Sequence, residues 1–144
     1  MIKLLNILSE IVVQKDPALK KITDYVRGGS KGDLDLEGTP IQSLPPGLKV
    51  EGNLSLYNCK NFKLLPDGLK VGGYLDLVNT PIQSLPPDLK VGGHLLLSHT
   101  LIQSLPPDLE VEGDLYLNGT PISKKYTEEK IRKMVPGVKG DIRL

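Results

Sequence analysis

Residues 73–92 read GYLDLVNTPIQSLPPDLKVG, and residues 93–112 read GHLLLSHTLIQSLPPDLEVE. They are the clearest copies of a repeat with the consensus G-x-L-x-L-x-x-T-x-I-x-S-L-P-P-x-L-x-V-x. Self-similarity at a period near 20 residues is typical of a solenoid, in which each coil of the chain packs on the next. The sequence therefore predicts six coils, numbered here 1 to 6, which begin at Gly32, Gly52, Gly73, Gly93, Gly113 and Gly140.

The alternation in G-x-L-x-L predicts a short strand with one buried and one exposed face. One short strand cannot bury its face alone, so stacking the coils in parallel gives each leucine an apolar neighbour above and below. Because proline has no N–H to donate, the Pro-Pro pairs indicate a side of each coil without strand. The predicted inward pairs are Leu34/Leu36, Leu54/Leu56, Leu75/Leu77, Leu95/Leu97, Leu115/Leu117 and Ile142/Leu144.

Coil 2 departs from the other copies. Cys59 stands where the other coils carry Thr39, Thr80, Thr100 or Thr120, at a position expected to face inward and to bond neighbouring backbone. We therefore predict a buried structural thiol. One extra residue before Phe62 predicts a bulge or widened turn near residues 60–61.

Both ends of the repeat array carry helical patterns, as solenoid caps require. Apolar spacing predicts a helix over residues 2–14, and Asp16-Pro17 predicts the start of a second one, to about Arg27, that buries Leu19, Ile22 and Val26. One further helix is predicted from Thr127, with an apolar face that suits the core better than a partner groove.

The chain is thus predicted to be one domain with the fold of a β-rich α/β solenoid. Residues 1–30 would form the N-terminal helical cap, residues 31–122 the repeats, and residues 123–144 a C-terminal helix and last strand. A single parallel sheet of about six strands would run through it.

The segment Leu54-x-Leu56-x-x-Cys59 resembles the leucine-rich repeat pattern L-x-x-L-x-L-x-x-N/C-x-L. The S-L-P-P-x-L segments are similar to the short repeats, about 20 residues long, of bacterial effectors and of many phage and bacterial proteins. The resemblance covers residues 32–122 and the final strand. It implies a binding surface on a concave sheet face, although valine and threonine at two core positions leave a curved horseshoe and a flatter β-helix both open.

The composition restricts the function classes. The 144 residues have a formal net charge of +1 and no tryptophan, so the overall electrostatic field does not favour binding of nucleic acid. The single cysteine makes an internal disulfide impossible. The lysine column Lys49, Lys70 and Lys90 lacks interleaved aromatic residues and is weak as a phosphate site. No stretch approaches a membrane span, and residues 1–14 do not have the form of a signal peptide. We expect a cytoplasmic protein, bacterial or phage-encoded by the resemblance, with no membrane or nucleic-acid partner.

The outward strand positions vary from coil to coil, whereas the inward positions do not. Such a variable face is the usual binding surface of a solenoid, and tyrosine is enriched at interfaces. The alternative is a merely solvated face; Leu96, predicted to point to water, favours binding. The predicted partner-binding residues are Asp33, Asp35, Tyr57, Tyr74, Asp76, His94, Leu96, Asp114 and Tyr116.

Catalytic motifs are not found. No nucleophile motif, P-loop or dinucleotide fingerprint occurs, and His94 beside Asp114 and Tyr74 lacks a third metal ligand. We therefore expect no enzyme, cofactor or metal site. The favoured hypothesis is a monomeric protein-binding module, which the resemblance extends to an inhibitor of a bacterial host or defence enzyme. The alternatives are a subunit that oligomerises through its terminal coils and a glycan- or nucleic-acid-binding module.

Overall fold

The computed structural model describes residues 16–144, so the helix expected over residues 2–14 lies outside the described part. Three helices and ten two-residue strands make up this part. In chain order they are α1 Pro17–Arg27, β1 Leu34–Asp35, β2 Lys49–Val50, β3 Leu54–Ser55, β4 Lys70–Val71, β5 Leu75–Asp76, β6 Lys90–Val91, β7 Leu95–Leu96, β8 Glu110–Val111, β9 Leu115–Tyr116, α2 Pro121–Lys125, α3 Glu128–Met134 and β10 Ile142–Arg143.

The predicted β-rich solenoid with terminal helices is confirmed. Strands β1, β3, β5, β7, β9 and β10 form one parallel six-stranded sheet in that order, so sequence order and spatial order agree. Equivalent positions of the repeat face each other, as Leu54, Leu75 and Leu95 do. The predicted inward residues are buried except Leu144, which is 41% exposed. It follows the last strand, and no coil within residues 16–144 covers it, so its assignment to the core was wrong.

A second parallel sheet runs along the other side of each coil, in the order β2-β4-β6-β8, where the prediction had a single sheet. In it Val50, Val71, Val91 and Val111 point inward and are at most 3% exposed. The predicted lysine column lies in register on its outside and ends with Glu110, which is 3.5 Å from Lys90 Nζ. Coil 5 adds a single bridge, from Val138 to Val111.

Three members of the threonine column close turns within their own coils, whereas Thr39 Oγ1 lies 3.7 Å from Cys59 Sγ of the next coil. Thr80 Oγ1 donates to Leu77 O at 2.7 Å, and Thr100 and Thr120 repeat this bond. Cys59 is fully buried, and its thiol donates to Leu36 O of the preceding coil at 3.0 Å, so the predicted structural thiol is confirmed. The extra residue widens the turn at residues 60–61, as expected.

Helix α1 covers coil 1. Its N-cap is Asp16, whose Oδ1 accepts from Ala18 N at 2.9 Å. Ala18 and Ile22 are buried, but Val26 is 49% exposed, so its predicted burial was wrong, and Leu19 is only partly buried. The stripe facing the core continues from residue 22 to Tyr25, whose hydroxyl donates to Ser30 O at 2.6 Å. Val26 lies beyond the edge of this stripe.

The C-terminal segment contains two helices where one was predicted. Helix α3 has the expected N-cap, Thr127, and buries Ile131 and Val135, so its apolar face does belong to the core. The additional helix α2 begins at Thr120 as N-cap with Pro121 at the first position. It takes the place that residues 81–85, Pro-Ile-Gln-Ser-Leu, occupy in coil 3.

Candidate functional site: the outer face of the six-stranded sheet

The nine predicted site residues lie on one surface, called here the outer face: the side of the six-stranded sheet opposite the buried leucines. It consists of three columns. The first column is Asp33, Asn53, Tyr74, His94, Asp114 and Asp141. The middle column is Asp35, Ser55, Asp76, Leu96, Tyr116 and Arg143. The third column is Glu37, Tyr57, Val78, Ser98 and Asn118.

The first column is a ladder of acceptors. In four of the five pairs of adjacent coils, a first-column side chain accepts a hydrogen bond from the backbone N–H of the next first-column residue. Asp33 Oδ1 accepts from Asn53 N at 2.7 Å, and Asn53 Oδ1 accepts from Tyr74 N at 2.8 Å. His94 Nδ1 accepts from Asp114 N, and Asp114 Oδ1 from Asp141 N, both at 2.9 Å. Asp33, His94 and Asp114 therefore have a structural role that sequence reasoning missed.

This ladder restricts the residue that begins coils 2, 3, 5 and 6, which is glycine in each. A Cβ at Gly113 would lie 2.6 Å from His94 Nδ1, closer than real Cβ atoms approach. At Gly52, Gly73 and Gly140 the nearest atom is likewise the acceptor oxygen of the preceding coil. Glycine is therefore required at these four positions because an acceptor side chain occupies the space that a Cβ would take, whereas a Cβ at Gly93 would meet backbone.

The middle column contains a poorly compensated carboxylate. Asp76 Oδ1 accepts from Val78 N at 2.9 Å, which holds the side chain against the turn. Burial raises the pKa of the Asp76 carboxyl, and the negative charge of Glu37 raises it further, although the Val78 bond opposes both. No ion pair within residues 16–144 involves Asp76. A cation brought to this position would lower the cost of its charge.

Tyr116 is the centre of a cluster at the C-terminal end of the outer face. The His94 ring meets the Tyr116 ring edge-on, with centroids 6.1 Å apart, and the Arg143 guanidinium lies 5.6 Å from the Tyr116 centroid. Arg143 Nη2 is also 3.4 Å from Asp114 Oδ2 and 3.2 Å from Asp141 Oδ2. These contacts fix the orientation of Tyr116 before any partner arrives.

The same cluster sets the charge state of Asp114. The backbone hydrogen bond from Asp141 holds the pKa of the Asp114 carboxyl below its usual value, and Arg143 lowers it further. Arg143 and Asp141 were not among the predicted site residues. The alternation of the repeat places both residues at outward positions of coil 6, so the sequence could have indicated them. Only the structure shows that the Arg143 side chain contacts Asp114 and Tyr116 of coil 5.

The N-terminal half of the outer face is acidic. A shallow depression of about 180 Å³ lies there. Its lining is mainly polar and includes Asp33, Asp35 and Glu37, together with Tyr74. The three columns together carry six carboxylates and one arginine. Among residues 16–144 no group of three or more His, Cys, Asp or Glu side chains is arranged to hold a metal ion.

Leu96 is not as exposed as the sequence suggested. It is half-buried, because the register places it between Asp76 and Tyr116, whose side chains flank it. Tyr57 is half-buried as well, whereas Tyr74 is 39% exposed. Tyr74 is therefore the most exposed of the apolar or aromatic groups predicted to bind.

The chain matches no protein-family model, no curated protein and no solved structure. The likeness to leucine-rich repeats therefore rests on the sequence pattern alone. Within residues 16–144, no helix has the length and apolar character needed to cross a membrane.

Proposed function

We propose that this chain is a non-enzymatic protein-binding module that engages its partner through the outer face. The observation that carries the proposal is the group of Tyr74, Leu96 and Tyr116, which face outward in three successive coils of one regular sheet. Aromatic side chains supply large contact areas at low entropic cost, and Tyr116 is already held by His94 and Arg143. A regular sheet also presents such groups at fixed spacing.

Charge indicates the kind of partner. Six carboxylates and one arginine give the outer face a negative field, which attracts a basic surface and repels an acidic one. Asp76 adds to this preference because burial penalises its charge and no described cation offsets the penalty. The proposed partner is therefore a protein whose contact surface carries Lys or Arg side chains.

We further propose that binding blocks the partner, as in an inhibitor of a bacterial host or defence enzyme. This step is supported by the resemblance of the S-L-P-P-x-L repeats to those of bacterial and phage proteins. The support for inhibition is the similarity of the repeat sequences, and the geometry of the outer face does not add to it.

Affinity capture from bacterial lysate tests the proposal with a matched pair of variants. The Leu96→Glu/Tyr116→Ala variant removes apolar contacts from the outer face. The Gln83→Glu/Gln103→Ala variant makes equivalent changes at exposed positions elsewhere on the coils. We expect one protein to be retained by the wild type and the glutamine variant and lost from the outer-face variant, and to bind with purified components in calorimetry.

Thermal unfolding followed by circular dichroism must first show that both variants keep the fold. Equal retention of every captured protein by folded outer-face and glutamine variants would exclude the outer face as the binding surface. Retention that weakens as salt increases would support a basic partner.

A subunit that assembles through its terminal coils is the second candidate. Strand β10 is an edge strand of the six-stranded sheet, so one side of it is unpaired within residues 16–144, and Leu144 beside it is 41% exposed. Light scattering after size-exclusion chromatography discriminates the two candidates when the protein is loaded at concentrations chosen between about 1 and 200 µM. A mass that rises with concentration favours assembly, and a constant monomer mass favours the binding module.

A further inference from the structure

The acceptor ladder of the first column is interrupted once. Tyr74 is the only first-column residue, among the five that have a following coil, whose side chain makes no bond to the next backbone N–H. The N–H in question belongs to His94, and no acceptor for it exists within residues 16–144. An N–H donor is therefore left open in the middle of the outer face.

The glycines give independent support for this gap. A Cβ placed at Gly52, Gly73, Gly113 or Gly140 would meet an acceptor side chain of the preceding coil first. A Cβ at Gly93 would meet only backbone, with the nearest atoms at 2.9 Å. The position that an acceptor atom fills in the other coils is thus not filled by any side chain between coils 3 and 4.

The surroundings of the gap determine which acceptor fits. Asp76 lies two residues after Tyr74 on the same side of the sheet, about 7 Å along the strand, and burial raises its pKa. A carboxylate would be repelled by Asp76, whereas a neutral carbonyl oxygen would not. A basic side chain beside that carbonyl would in addition compensate the charge of Asp76.

We infer that the open His94 N–H is the anchoring donor of the outer face, and that a backbone carbonyl of a basic protein segment fills the place of the missing acceptor. The inference rests on the proposed binding function. Tyr74 keeps this donor open because its side chain has no acceptor that bonds the His94 N–H. Coils 2, 3, 5 and 6 satisfy the equivalent donor internally.

Amide exchange measured by NMR on the free protein tests the gap itself. In the wild type, the His94 N–H is expected to exchange about tenfold faster than the N–H of Asn53 or Asp114. Tyr74→Asn supplies an acceptor and should slow His94 about tenfold, whereas Tyr74→Leu, of similar size, should not. A His94 N–H that is as protected as that of Asp114 in the wild type would overturn the inference.

Two small probes then test the ligand chemistry. Adding N-methylacetamide should shift the His94 amide proton more than those of Asn53 and Asp114, and sodium acetate should shift it less. The shift should disappear in Tyr74→Asn and persist in Tyr74→Leu. A His94 shift no larger than that of the paired amides, or a preference for acetate, would reject a neutral carbonyl ligand.

The partner retained in affinity capture separates this inference from the proposed function. If the partner depends on Leu96 and Tyr116 but binds Tyr74→Asn and Tyr74→Leu equally, the binding function stands and the anchoring role of His94 fails. If Tyr74→Asn loses at least about tenfold more affinity than Tyr74→Leu, the anchoring role holds. If no protein depends on the outer face, the proposed function fails, and the anchoring role fails with it even where the exchange pattern shows the gap.

Discussion

At the residue scale, Asp76 and Asp114 place the same chemical group in opposite environments. Burial raises the pKa of the Asp76 carboxyl, so its ionised form costs stability, and this cost develops as the pH rises through the folded-state pKa. The backbone bond from Asp141 lowers the pKa of the Asp114 carboxyl, so its ionised form stabilises the fold. That stabilisation is lost as the pH falls through the lowered value.

Replacement by asparagine should therefore act with opposite sign at the two positions. Asp76→Asn keeps an acceptor for Val78 N and removes the penalised charge, so it should raise the free energy of unfolding at pH 7. Asp114→Asn keeps an acceptor for Asp141 N but loses the attraction of Arg143, so it should lower it. Urea unfolding at pH 7 and in acid measures both, and both differences should shrink in acid. Changes of the same sign at pH 7 would contradict this account.

Cys59 allows a second residue-scale prediction. The thiol is fully buried and donates to Leu36 O, so a thiol reagent should modify it only through unfolding, at least about 100-fold slower than in urea. Cys59→Val removes the thiol bond to Leu36 O, which still accepts from Thr39 N at 3.2 Å, so the variant should cost about 1 kcal/mol of stability in urea unfolding. Rapid modification of the folded protein would show that the site opens locally.

At the scale of elements, Thr120 performs two roles where Thr80 performs one. Both hydroxyls donate to the carbonyl three residues earlier, but Thr120 Oγ1 also accepts from Ser123 N at 3.2 Å as the N-cap of α2. Thr120→Val should therefore destabilise the protein more than Thr80→Val, by about 1 kcal/mol in urea unfolding. Equal losses would mean that the cap contributes nothing and that α2 is held by the packing of Ile122 alone.

The elements that were predicted have a sequence pattern long enough to recognise, and the elements that were missed do not. The six-stranded sheet was predictable because two leucines per coil alternate with polar residues and repeat six times. The second sheet takes only two residues from each of four coils, Lys-Val in three of them and Glu-Val in the fourth, which is too short to show any period. Helix α2 starts with Thr-Pro, but Thr39-Pro40 and Thr80-Pro81 carry the same signal and form no helix.

The candidate site was predictable as a surface but not as a set of bonds. Alternation alone places Tyr74, Leu96 and Tyr116 outward in three successive coils. The acceptor ladder joins residues of neighbouring coils, so no single copy of the repeat displays it. Arg143 was missed for the same reason, since its contacts to Asp114 and Tyr116 cross from coil 6 to coil 5.

At the scale of the whole molecule, each coil contacts mainly its neighbours, so a complete coil is a removable unit. Deletion of residues 73–92 and deletion of residues 93–112 each remove 20 residues and rejoin equivalent positions of the repeat. Both variants should fold cooperatively with the same strand register, with lower stability and a smaller denaturant dependence than the wild type. Circular dichroism during urea unfolding measures this.

The two deletions differ in what they do to the acceptor ladder. Removing residues 73–92 takes out Tyr74 and brings Asn53 next to the His94 N–H, so the ladder becomes continuous. Removing residues 93–112 instead places Tyr74 next to the Asp114 N–H, so the open donor moves from coil 4 to coil 5. Amide exchange should accordingly show a protected His94 in the first variant and an unprotected Asp114 in the second. Stability alone would not decide this, because the second deletion also removes the ring contact between His94 and Tyr116. A protected Asp114 in the second variant would show that the open donor depends on local backbone geometry and not on the side chain of Tyr74.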